Sequence, residues 1–176
     1  MNFITTYTGV RFTPLNPDIY QINIEDIAHS LSLICRGYGH QATFYSVAQH
    51  GLNLAKEAKA RRYSKRVQLA CLLCYGSVAY LPEIVRPVKN RLSTYIELEE
   101  DIQELIYARF LNGELLGEEK FLVREIADVM SVWEAKKLMN KEVEKLPPLM
   151  SAPKFVFVDF AVIEEEFKAL YESLIA

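Results

Sequence analysis

A chain of 176 residues with 51% hydrophobic residues, ten Tyr and nine Phe is long enough to bury a sizeable core and too apolar for disorder. Its net charge of -3, from 20 basic and 23 acidic residues, asks for neither nucleic acid nor a membrane surface as partner. No apolar stretch approaches the ~20 residues of a membrane-spanning helix, and MNFITTYTG has neither the basic region nor the apolar core of a cleaved leader. Cys35, Cys71 and Cys74 are an odd set, so reduced thiols and a cytoplasmic location are expected.

TYTGVRFTPLNPD, with a Gly and two Pro, predicts an irregular lead, with TYTGV and RF placed to form a small hairpin. Asn23 can cap the first helix, with Asp26 at the third position in capping-box style. Ile24, Ile27, Leu31 and Ile34 then recur at helical spacing as far as Arg36, and GYGH closes the segment. A second helix is predicted over 44–61 and a third, the most continuously apolar and so the most central, over 64–80. Pro82 and Pro87 punctuate the loop beyond it. Further helices are predicted over 92–111, 118–140 and 162–174, while FVFVDF fits either a short edge strand or an extended segment lying on the helices. The basic run KEAKARRYSKR reads as a solvated helix end. About six helices with short connections and no repeat predict one all-α domain over 1–176, with minor strand content at the N-terminal lead. Residues 150–176 form a C-terminal extension that packs on the core or at an interface.

Few residues can carry chemistry. His29 stands one turn from Asp26, His40 lies in the GYGH loop, and His50 sits mid-helix among apolar residues, where a hydrogen-bonded core histidine is the plain alternative to a metal ligand. Cys71 and Cys74 form a lone CxxC inside an apolar helix. A closed zinc site needs four ligands and a redox pair an exposed helix start, so both cysteines read as small buried hydrophobes. Asp128, inside an apolar-periodic helix, needs a charged or hydrogen-bonding partner unless it faces the surface.

Several stretches together are similar to a family. TYTGVRFTPLNPD, IEDIAHSLSLICRGYGH, FYSVAQH, LLCYGSVAYLPEIVRPVK and ADVMSVWE, in order over about residues 3–140, resemble the HD-domain metal-dependent phosphohydrolases, nearest to the bacterial deoxynucleoside 5'-monophosphatase-like branch. The resemblance implies an HD-domain-like helical bundle. It also implies a divalent metal held by one histidine, an adjacent His-Asp pair and a distant aspartate. The single histidine falls on His50 and the distant aspartate on Asp128, but the pair falls on Cys74 and Tyr75. Val78 stands where a water-handling carboxylate is expected, Glu83 matches an acidic position in the following loop and is the one candidate catalytic group, and Arg36 matches an arginine for the substrate phosphate. Apart from the resemblance, His40 is expected to assist phosphate binding if its GYGH loop folds toward the pocket.

A phenol of pKa near ~10 is a poor substitute for a carboxylate at a divalent ion. The motif therefore implies a catalytically degenerate member that retains at most weak binding of a nucleoside monophosphate or other small phosphate ester. It needs no cofactor. An active hydrolase with an altered shell of Co, Mn, Mg or Zn, and a structural or regulatory protein without ligand, are the alternatives. His50 and Asp128 are expected to hydrogen-bond directly, through water or through Tyr75. The apolar C-terminal tail is expected to supply a homodimer interface or to roof the core.

Overall fold

The TYTGVRF lead forms its hairpin, β1 (Ile4–Thr5) pairing antiparallel with β2 (Arg11–Phe12), with Ile4 opposite Phe12. The computed structural model describes residues 2–176. Among these the hairpin is the only sheet, and the rest of the ordered backbone is helical, an all-α architecture. The seven α-helices are α1 (Ile24–Leu33), α2 (Val47–Ala60), α3 (Lys65–Leu73), α4 (Arg86–Lys89), α5 (Ser93–Phe110), α6 (Gly117–Leu138) and α7 (Phe160–Ile175). No described helix is long and apolar enough to cross a membrane.

The caps follow the sequence. Asn23 accepts from the Asp26 amide at 2.8 Å, Ser46 from Gln49 at 3.1 Å and Ser64 from Val67 at 3.2 Å, each satisfying a first-turn N–H that the helix leaves open. Asp26 departs from a capping box: its carboxylate takes the Thr8 amide at 2.7 Å and the Thr8 hydroxyl at 3.0 Å, pinning the hairpin turn to α1. His29 likewise turns from Asp26 to Glu164 of α7, at 2.9 Å, and stacks on Tyr7. The basic run is a paired helix end: Arg61 holds Glu57 and Glu125, and Arg66 holds Glu119.

Two expectations about the centre are corrected. The central helix is α2, not α3: eleven of its 14 residues are buried, and α1, α3, α6 and α7 all pack on it. Small residues admit this crowding. At Gly51 even a methyl carbon would lie 2.6 Å from the Leu72 carbonyl oxygen of α3. The apolar run 64–80 is not one helix either. α3 ends at Leu73, and a separate 3-10 turn covers Gly76–Ala79. Gln103 of α5 stabilises the break, donating to the Leu73 carbonyl at 2.9 Å and accepting the Ser77 amide at 3.1 Å. Both backbone groups would otherwise be unpaired in a partly buried place.

Residues 147–158 form no strand. They cross α2 as an extended strap, and α2 presents Gln49, Asn53 and Glu57 to it, four residues apart and so on one helical face. Gln49 donates to the Val156 carbonyl at 3.0 Å, and the buried Glu57 carboxylate accepts the Met150 amide at 3.0 Å and the Ser151 amide at 2.8 Å. Phe155 packs on the core, whereas Phe157 and Phe160 stay exposed, so only part of this tail roofs the helices.

Candidate functional site

The polar centre of the fold is built around Glu134. On α6 the buried positions are Val123, Ile126, Met130, Glu134 and Leu138, one stripe at helical spacing in which Glu134 alone is charged. The residue is 3% exposed. One oxygen accepts Nδ1 of His50, which is wholly buried on α2. The other accepts Nε of Arg36 at 3.1 Å. Since a carboxylate only accepts, His50 carries its proton on Nδ1, and Nε2 is left as a buried lone pair with no hydrogen-bond partner among the described residues.

Arg36 completes a compact cluster. Its guanidinium lies 4.5 Å from the Tyr75 ring centroid, donates to the Tyr75 hydroxyl at 3.2 Å and faces Glu83 at 3.6 Å. Tyr75 also meets the His50 ring edge-on, with centroids 5.0 Å apart. Above this floor opens a cavity of about 800 Å³, within the range of small-molecule sites. Arg36, Cys74, Tyr75, Val78, Glu83 and Asp128 all line it. His50 does not; it lies behind Tyr75.

Electrostatics fix the charge states. Burial opposes ionisation of Glu134, but His50 and Arg36 outweigh it and hold the carboxyl below its ordinary range. Burial, then the Arg36 charge, pushes the His50 imidazolium down, so the ring is neutral. Arg36 stays cationic because Tyr75, Glu134 and Glu83 overcome its burial. Burial raises the Tyr75 phenol and pushes the Cys74 thiol up to about 12.

These shifts predict how stability depends on pH. An unfolded histidine takes up a proton near pH ~6.5, while His50 in the fold resists it, so its contribution is present above that value and is lost as pH falls. Glu134 and Glu57 have lowered folded values, and their contribution persists to ordinary carboxylate pH and is lost as pH falls through the folded values. The thermal midpoint is therefore expected to begin falling near pH ~6.5 and to fall again below ~4.3. In an NMR titration the His50 ring should stay neutral below the pH at which an exposed histidine charges. A ring half-charged at pH 7 would contradict the buried neutral state.

The same states decide how well these residues suit a divalent metal. His50 Nε2 would serve as a ligand, with Glu134 orienting the ring from behind. The positions of the His-Asp pair, however, offer a protonated thiol and a protonated phenol. Among the described residues no three His, Cys, Asp or Glu side chains come together to hold a metal ion. This donor set does not fit a divalent metal.

The expected His50–Asp128 bond is overturned: the partner is Glu134. Asp128 is exposed on the cavity wall, six residues from Glu134 and off the buried stripe of α6. His40 is exposed and is not among the residues lining the cavity. Val78 is buried in the wall, and Glu83 contributes a carboxylate whose Oε2 is buried with no partner among the described residues. The residue missed in the sequence is Glu134. Its place in step with Ile126 and Met130 was the available signal, and Asp128 lacks that phase.

No family model matches the chain. It is similar to a protein of Escherichia coli strain K12 named uncharacterized protein YfdR, 37% identical over 112 residues, covering 62% of this chain and 59% of that one. It is also 35% identical over 109 residues to an uncharacterized protein of Rhodobacter capsulatus, covering 58% of this chain and 55% of the other. The chain thus spans less than two thirds of the length of either relative. A 108-residue stretch is 25% identical to merozoite surface protein 1 of Plasmodium falciparum, touching 6% of that protein.

Proposed function

We propose that the chain is a catalytically degenerate relative of the HD-domain phosphohydrolases that binds a small phosphate-bearing molecule, such as a nucleoside monophosphate, without hydrolysing it. The observation that carries this reading is that Arg36, Cys74, Tyr75, Val78, Glu83 and Asp128, six of the positions the resemblance assigns to the site, line one cavity, with His50 behind Tyr75. What supports the absence of hydrolysis is the change at the paired positions and at 78. A thiol held near 12 supplies no nucleophile at neutral pH, and Val78 has no group to take a proton from water.

Binding has more support. Nη1 of Arg36 faces Glu83 at 3.6 Å, longer than a hydrogen bond, so it can turn an N–H to a phosphate oxygen, and Arg86 and Lys141 line the same cavity. Calorimetry with deoxynucleoside monophosphates is expected to show weak binding. Phosphate release from the same compounds and from an aryl phosphate should stay at background with Co²⁺, Mn²⁺, Mg²⁺ or Zn²⁺ supplied in turn.

The bare Nε2 of His50 favours a second reading, an altered metal shell. A metal-dependent rate that a chelator abolishes and that His50→Ala removes would establish it and overturn the inactive one. If nucleotides neither bind nor turn over, the structural or regulatory reading replaces both.

A further inference from the structure

Every nitrogen of the Arg36 guanidinium already faces a neighbour. Nε donates to Glu134 at 3.1 Å, Nη2 donates to the Tyr75 hydroxyl at 3.2 Å, and Nη1 faces Oε1 of Glu83 at 3.6 Å. A phosphate taken up by Arg36 has to enter on one of these three sides. Two are closed: Glu134 is buried and also holds His50, and the Tyr75 ring packs against both His50 and Arg36.

Glu83 is the loose member. Oε1 lies beyond hydrogen-bond length from Arg36, and Oε2 is buried with no partner among the described residues. Keeping a carboxylate out of water without hydrogen bonds is unfavourable. Glu83 also sits within residues 82–85, which form neither helix nor strand, between the 3-10 turn Gly76–Ala79 and α4. Swinging it outward returns a poorly satisfied charge to water and disrupts no helix. Glu134 has no such freedom, because its departure strands His50.

The charges point the same way. Arg36 is one cation between two carboxylates, with His50 neutral, so the cluster is negative before any ligand arrives. An anion is repelled while Glu83 stays and finds a place when Glu83 leaves. A phosphodiester, with one charge, only restores the balance that Glu83 supplied. A phosphomonoester above its second pKa of about 6 brings a second charge, and Arg86 and Lys141 line the same cavity to meet it.

We propose that Glu83 competes with the ligand for Arg36, and that this competition makes the cavity select phosphomonoester dianions over singly charged phosphodiesters. The inference rests on reading Arg36 as the phosphate anchor. It gives Glu83 a sign opposite to that of a residue that contacts the ligand or activates water: removing its charge strengthens binding.

The test is calorimetric titration of the full chain, at about pH 8 so that the monoester is a dianion, with thymidine 5'-monophosphate and its singly charged methyl ester. The parent should bind the monophosphate about tenfold more tightly than the ester, the scale of one contact between charged groups. Glu83→Gln, which removes the charge and keeps the shape, should tighten the monophosphate about tenfold and strengthen the ester as well. Equal binding of the two compounds by the parent overturns the proposal. A Glu83→Gln variant that keeps the parent's thermal midpoint and binds the monophosphate no better also overturns it, while the phosphate reading stands. Binding by the variant alone supports both. Binding by neither protein removes the phosphate reading and this inference together. If the variant does not fold, the parent's preference between the two compounds decides.

Discussion

Glu134→Ala is expected to destabilise the protein by about 3–5 kcal/mol, the range for removing one partner from a buried charge pair. Asp128→Ala, on an exposed side of the same helix, should change it by about 0.5 kcal/mol or less. The first substitution strands two groups at once. Arg36 loses the carboxylate at 3.1 Å that balances its buried charge, and His50, wholly buried, loses the acceptor for its Nδ1 proton. Glu83, at 3.6 Å from the guanidinium, restores part of the charge balance but none of the histidine's hydrogen bond. Glu134→Gln should fall between, since an amide oxygen still accepts one donor while the charge is lost. Urea unfolding of the three variants gives the order directly. A midpoint for Asp128→Ala as low as that for Glu134→Ala would mean that the polar centre lies elsewhere on α6.

That pair of residues shows how far the sequence could be read. Apolar phase along the chain was enough to place α1, α5, α6 and α7 within about three residues at each end. The cap at Asn23 was legible because a short polar side chain before an apolar run has one evident use, whereas the helix expected from residue 44 starts only after its cap at Ser46. The break after Leu73 was not. CYGSVA is as apolar as the helix before it, and the group that stabilises the interruption, Gln103, comes from a distant helix. The path of residues 147–158 was hidden for the same reason: its backbone partners are side chains of α2 a hundred residues away. At the site, Arg36, Cys74, Tyr75, Val78, Glu83 and Asp128 share one cavity, while His50 and His40 do not line it and the partner of His50 does not follow from the resemblance. Glu134 sits where a solvated WEAKK helix end would be expected, and only the buried phase of α6 distinguishes it from Glu125 or Glu118.

Gly51→Ala should lower stability by about 2 kcal/mol, the opposite sign to the same change on an exposed helix, and should loosen the site as well. Alanine in place of glycine inside a helix is worth roughly 1 kcal/mol in favour of folding. Here the added carbon would lie 2.6 Å from the Leu72 carbonyl oxygen and 3.6 Å from the Phe167 ring. The near contact is backbone, so no side chain can rotate away, and α2 and α3 must separate. Overpacking of this kind costs about 1–3 kcal/mol, and two central helices place it at the upper end. The separation acts on function because His50, one residue before Gly51, meets Tyr75, three residues beyond Leu72, across this same contact. Moving α3 outward loosens Tyr75 over both the His50 ring and the Arg36 guanidinium. The variant should therefore lose ligand affinity together with its midpoint in urea. A variant more stable than the parent would show that the two helices can part without loss, and that their close approach does not position the site.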